Sequence, residues 1–172
     1  MTRALACCVL LTLVAGCGGT KTETVIVTKT VTVDNTSKQG LGAPGESVQF
    51  GYLKSLEKKG SDYELRFDPA FFLSGETANA AAAEDGAIEP GQPVPNDYYV
   101  VDEGHRLLTY RVPADAKLTV VALGPKNIPT TVEALAKMVA GEQTAPWMPI
   151  SSGFWLRARI DTVVSLDQQY RP

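Results

Sequence analysis

At 172 residues the chain has room for one ordinary domain, and with 44% hydrophobic and 20% charged residues its bulk reads as globular material. Its 16 basic and 19 acidic side chains leave a formal charge of -3 with no basic block or stripe, so no nucleic acid is expected as a partner. All three cysteines, Cys7, Cys8 and Cys17, lie at the amino terminus, so no disulfide, thiolate metal site or cysteine nucleophile can arise beyond Cys17.

Arg3 supplies a positive start, and residues 4–13 are apolar apart from Thr12. A run of that length is too short for a bilayer span, which needs ~20 apolar residues. It fits a secretory signal instead. The segment Leu13-Val14-Ala15-Gly16-Cys17 resembles the lipobox of bacterial lipoproteins. That resemblance implies a signal peptide over 1–16, removed before Cys17, and a lipid carried on Cys17. Two acyl chains on one cysteine suffice for stable membrane anchoring, where one chain is marginal.

Over residues 22–33 the odd positions carry Glu23, Lys29 and otherwise valine while the even ones carry threonine except for Ile26, the period-two pattern of a half-buried strand. A polar stretch from Asp34 to Gly45, rich in glycine, serine and asparagine, follows in place of a hairpin turn. Lys29 interrupts the apolar face, and charge on a strand edge discourages pairing. Residues 17–45 therefore read as a lipidated cysteine with a threonine–valine stalk and linker; an edge strand is the alternative.

Residues 46–172 read as a single globular domain. Val48, Phe50 and Tyr52 share one face of a strand from Ser47 to Glu57, and Tyr63, Leu65 and Phe67 share one face of its return after a loop at Lys58 to Asp62. Asp68-Pro69 is expected to end that return strand, since proline cannot donate to a ladder. Ser74 stands as helix N-cap, with Ala78 to Ala83 as its body and Gly86 just past its end. Glu84 and Asp85 fall in the last turn, where the helix dipole disfavours anions. After a proline-rich loop over 87–97, a second hairpin is expected from residues 98–101 and 107–112 around Glu103-Gly104. An apolar strand over 117–123 comes next. Thr130 and Glu133 form a capping box for a helix with Val132, Leu135, Ala136 and Val139 on one stripe, closed by Gly141. Phe154, Leu156, Ala158 and Ile160 alternate with Trp155, Arg157 and Arg159, and a turn near Asp161-Thr162 leads to a last strand over 163–166.

Hairpins dominate and no βαβ unit repeats, so the expected fold is α+β. It is a mostly antiparallel curled sheet or small β-barrel of about seven strands with two packed helices, because an open sheet of that size leaves exposed edges.

Chemistry-bearing patterns are sparse. His105 is the only histidine, sits beside Gly104 in an expected turn, and has no G-x-S-x-G motif to serve. Ser55-Leu56-Glu57-Lys58 matches S-x-x-K, but that motif opens a helix whereas Ser55 falls on a strand, and the S-D-N and K-T-G partners are missing. Glu84, Asp85, Asn96 and Asp97 are oxygen donors without calcium-loop spacing, so neither a metal nor a cofactor is expected. Trp147, Tyr98 and Tyr99 are the candidate binding surface, since adjacent strand aromatics face opposite sides and exposed rings recognise sugars and proteins.

The strings GYLKSLE, FDPAFFLSGETANAAAAEDG, PVPNDYY and FWLRARIDTVVSLDQQYRP resemble an uncharacterised group of bacterial secreted proteins and lipoproteins, which implies no activity and no functional residues. The expectation is a lipid-anchored domain facing the extracytoplasmic side of the cell membrane. It would bind or scaffold rather than catalyse, with envelope polysaccharide or protein as partner. A carboxylate-dependent envelope hydrolase and a small-ligand carrier are the alternatives.

Overall fold

The computed structural model describes residues 43–104, 106–122, 124–142 and 146–172. The chain divides into two units, Met1–Thr30 and Val31–Pro172, and the described residues belong to the second. The signal segment, Cys17, the 22–33 alternation, the linker up to residue 42 and His105 lie outside the described residues.

In chain order the elements are β1 (Ser47–Lys59), β2 (Asp62–Ser74), α1 (Gly75–Glu84), β3 (Tyr98–Val101), β4 (Leu108–Val112), β5 (Lys117–Val121), β6 (Asn127–Thr130), α2 (Val132–Val139), β7 (Phe154–Arg159) and β8 (Thr162–Gln168). The fold is α+β, and five of the strands close a small mixed barrel in the order β1, β2, β4, β8, β7 and back to β1. Every contact in that ring is antiparallel except β4 with β8, which meet in parallel at Arg111 and Thr162. A backbone hydrogen bond from Arg111 N to Asp161 O at 2.8 Å reinforces that seam. Farther along β8, β5 pairs in parallel and carries β6 as its antiparallel neighbour.

The long hairpin of β1 and β2 turns through Gly60-Ser61, where Gly60 takes φ 64°, a left-handed value that glycine adopts without steric cost. Contrary to expectation, β2 does not stop at Asp68-Pro69. One edge of β2 meets β1; the other meets β4 over residues 63–67 and β3 over residues 71–74. Pro69 falls in the gap between those two partners, where no ladder asks for its missing N–H. The same arrangement removes the expected second hairpin: β3 and β4 each pair with β2.

The eighth strand, β6, is an addition to the expected seven, and Pro129 within it is tolerated because β6 lies at the sheet's edge. The N-cap of α2 is Thr131, one residue beyond the expected Thr130, and its side-chain oxygen accepts from Ala134 N at 3.1 Å. Glu133 instead pairs with Lys137 one turn on, at 2.9 Å. Gly141 closes the helix at φ 89°, with its N–H on Met138 O and that of Glu142 on Lys137 O. The final hairpin turns at Ile160-Asp161, and Thr162 already belongs to β8, paired with Arg159.

Side chains fill the barrel interior: Leu65, Phe67, Val112, Phe154, Leu156 and Leu166 are each 0% exposed. Val132 and Leu135 of α2 join that core. Helix α1 forms a satellite core, with Ala78 and Ala82 against Val94, Leu73 and Tyr99. Ser74 is its N-cap residue but makes no side-chain cap bond. Among the described residues, no helix is long and apolar enough to cross a membrane.

Candidate functional site

Strand alternation puts two sets of side chains on β1. Gly51 and Leu53 lie opposite Phe154 and Phe67 on the interior face, while Phe50 lies opposite Ala70 and Trp155 on the outer one. An outer barrel face is ordinarily polar, yet here Phe50, Ala70 and Trp155 are buried in a second apolar cluster with Val48, Tyr52, Phe72 and Val100. Phe50 is its centre. Its ring meets those of Tyr52, Phe72 and Trp155 edge-on, at centroid distances of 5.9, 5.1 and 5.3 Å. Each such pair adds about 0.5–1.5 kcal/mol beyond area burial.

Gly153 makes room for the Phe50 ring. At φ 84° it is in the left-handed region, and a Cβ there would come within 2.9 Å of Phe50 Cε2. The outer cluster therefore depends on a glycine that follows the Ile150–Ser152 turn and immediately precedes β7.

Beside the cluster lies an open groove of about 480 Å³. Its walls include Val48, Phe50 and Trp155 on one side of the register and Ala70, Phe72 and Leu73 on β2. Phe71, also in the lining, leaves 49% of its surface exposed. The volume lies within the roughly 300–1,000 Å³ of small-molecule sites.

Polar groups frame this face. Tyr98 stacks on Phe72 at 5.1 Å and 14° between ring planes, and the Arg171 guanidinium lies over the Tyr98 ring at 5.4 Å from its centroid. Arg171 Nε also donates to the Tyr98 hydroxyl at 3.3 Å. Burial pulls the Arg171 charge down, the hydrogen bond to Tyr98 and the phenolic oxygens of Tyr98 and Tyr52 push it up, and the net direction is up. The Trp155 indole N–H donates to Gln169 Oε1 at 2.7 Å, tying the carboxyl-terminal segment to the cluster. On the same face of β1 and β2, Lys54 Nζ pairs with Asp68 Oδ2 at 2.9 Å, while Asp68 Oδ1 is buried without a hydrogen-bond partner.

The aromatic residues singled out in the sequence sit in three different places. Tyr98 belongs to the groove-side cluster. Tyr99, its neighbour, faces α1 and donates to Asp85 Oδ2 at 3.1 Å, a hydrogen bond that pushes its phenol upward. Asp85 at the helix end thus has a neutral hydroxyl partner. Trp147 bridges to Ala122 and packs on the barrel core, apart from both tyrosines. Ser55 is on β1, in a strand rather than at a helix start. Asn96 and Asp97 take φ values of 58° and 56° in the turn before β3, and that loop is pinned to α1 by Asn79 Oδ1, which accepts from Val94 N at 2.9 Å. Among the described residues, no three His, Cys, Asp or Glu side chains are grouped to hold a metal.

Phe50 and Arg171 escape sequence reasoning. The sole trace of the first is the Val48, Phe50, Tyr52 spacing, which reads equally well as a core face. Arg171 has no local pattern at all, since only the fold lays the terminal segment across Tyr98. No protein-family model matches the chain, and no curated protein or solved structure does either.

Proposed function

We propose that this is a lipid-anchored extracytoplasmic protein of the bacterial cell envelope whose folded domain binds a ligand rather than transforming one. The observation that carries the binding part is the open groove of about 480 Å³ set against a preformed aromatic cluster on the outer face of the barrel. Rings locked by mutual edge contacts lose little side-chain freedom on binding, so such a surface is preorganised for an apolar partner. The barrel interior is a packed core, so the ligand belongs on the outside. The lipobox-like Leu13-Val14-Ala15-Gly16-Cys17 carries the anchoring part.

Each part has its own test. Labelled palmitate fed to a bacterial host expressing the chain is expected to enter the parent and not Cys17→Ser; equal label in both would end the anchoring proposal. For binding, an environment-sensitive apolar dye is expected to saturate on the parent and to lose affinity about tenfold in Phe72→Ala. Unchanged affinity in that variant, with the fold intact by circular dichroism, would remove the groove as the site.

A further inference from the structure

We infer that the groove receives the tail of a single-chain carboxylate amphiphile whose head group is held by Arg171, a deepening that rests on the binding reading above. The groove itself favours a hydrocarbon chain over a sugar. Gln49 is the one polar side chain in its lining, and its amide already donates to the Tyr110 hydroxyl at 3.0 Å. The indole N–H of Trp155 is engaged by Gln169. A sugar ring would find apolar walls where its hydroxyls need donors and acceptors.

Arg171 is already held by the Tyr98 ring and hydroxyl, and a purely apolar ligand would leave its charge without an anionic partner. Among the described residues no carboxylate forms an ion pair with it. Its partners are hydroxyls of tyrosine and the Ser151 carbonyl at 3.5 Å, and none of them is a carboxylate. A half-buried guanidinium held in place by a stacked ring keeps its planar fork oriented, which suits bidentate capture of a carboxylate. The spacing is short: Phe72 is in the groove wall, Tyr98 stacks on Phe72, and Arg171 lies over Tyr98. The cation is thus two ring layers from the apolar surface, and an amphiphile bridges them by laying its tail along the groove and its head beyond Tyr98.

The test uses the full chain carrying Trp147→Phe, which leaves Trp155 in the groove wall as the only tryptophan. Dodecanoate below its micelle concentration is expected to shift Trp155 emission saturably, and dodecanol to bind about tenfold more weakly, as loss of a charge-assisted pair implies. Arg171→Gln should bring dodecanoate down to the level of dodecanol. Ala70→Phe, checked for folding by circular dichroism, should weaken both probes by filling the groove. Equal affinity of the two probes for the parent, or a preference that survives Arg171→Gln, overturns the assignment of Arg171 and leaves the groove reading standing. Unchanged dodecanoate affinity in Ala70→Phe overturns the placement of the tail. No saturable response to either probe removes the groove reading as well.

Discussion

Among the described residues, Gln168 is a buried polar side chain that links three parts of the fold, and nothing in its sequence neighbourhood announces it. It is 1% exposed; its Oε1 accepts from Val121 N at 2.8 Å, and the two hydrogens of its Nε2 are shared among Met148 O, Pro149 O and Ser152 Oγ at 3.1, 2.9 and 3.0 Å. It therefore ties β8, β5 and the loop before β7 together. Gln168→Leu keeps the volume but strands a buried N–H and two carbonyls, and is expected to cost about 2–4 kcal/mol in urea unfolding. Lys54 and Asp68 make a pH-dependent contribution to stability that is modest, because the Lys54 side chain is half exposed. The hydrogen bond to Asp68 holds Lys54 above its ordinary 10.5, the charges of Asp68 and Asp102 add to it, and desolvation opposes it. Because the folded value is the higher one, this contribution is complete below about pH 10.5 and is lost as pH rises through the folded value. Lys54→Met is expected to flatten the alkaline limb of a Tm-against-pH curve. The same variant leaves a buried carboxylate unpaired and should cost about 1–3 kcal/mol at neutral pH, whereas Asp68→Asn, which needs no counter-charge, should cost less.

At the scale of elements, the informative case is the passage from β6 into α2. Thr130 and Thr131 are adjacent, and the capping-box spacing to Glu133 points to Thr130 whereas the cap is Thr131. The distinction is tertiary: Thr130 is paired with Leu118 across β5 and β6, so its backbone is held in the ladder and the helix starts one residue later. Thr131→Ala is expected to lower stability by about 1 kcal/mol, and Thr130→Ala by much less, in parallel denaturant titrations. The reverse order would place the cap at Thr130. Strand β2 shows the same override. Proline is a stop signal because it removes a donor, but a strand that changes partner along one edge has a position where no donor is needed. The alternation of Tyr63, Leu65 and Phe67, by contrast, was fully legible, since a strand with one buried face has no other stable register.

For the whole molecule, closing the ring requires β1 to approach two neighbours at once. Gly51 is opposite both Pro69 and Phe154. A Cβ there would overlap the Asp68 carbonyl and come within 2.7 Å of Phe67 Cζ. Gly51→Ala is therefore expected to destabilise by about 1–3 kcal/mol, the usual cost of overpacking, read as a lower urea midpoint at unchanged slope.

The sequence by itself determined the class of this fold. Hairpin turns, two helices with their glycine stops, and period-two strands rich in aromatic and β-branched residues point to a curled, mostly antiparallel sheet because each of those signals is local. It also carried the lipobox-like segment, a linear pattern that needs no folding to be read. The tertiary structure alone decided which strands meet, because pairing depends on the free edge that each strand finds, and Pro69 and Thr130 cannot report their partners. The candidate site arose the same way. Phe50, Phe72, Trp155 and Arg171 are far apart in the chain, and only the closed fold packs the first three into one cluster and sets the Arg171 side chain over Tyr98.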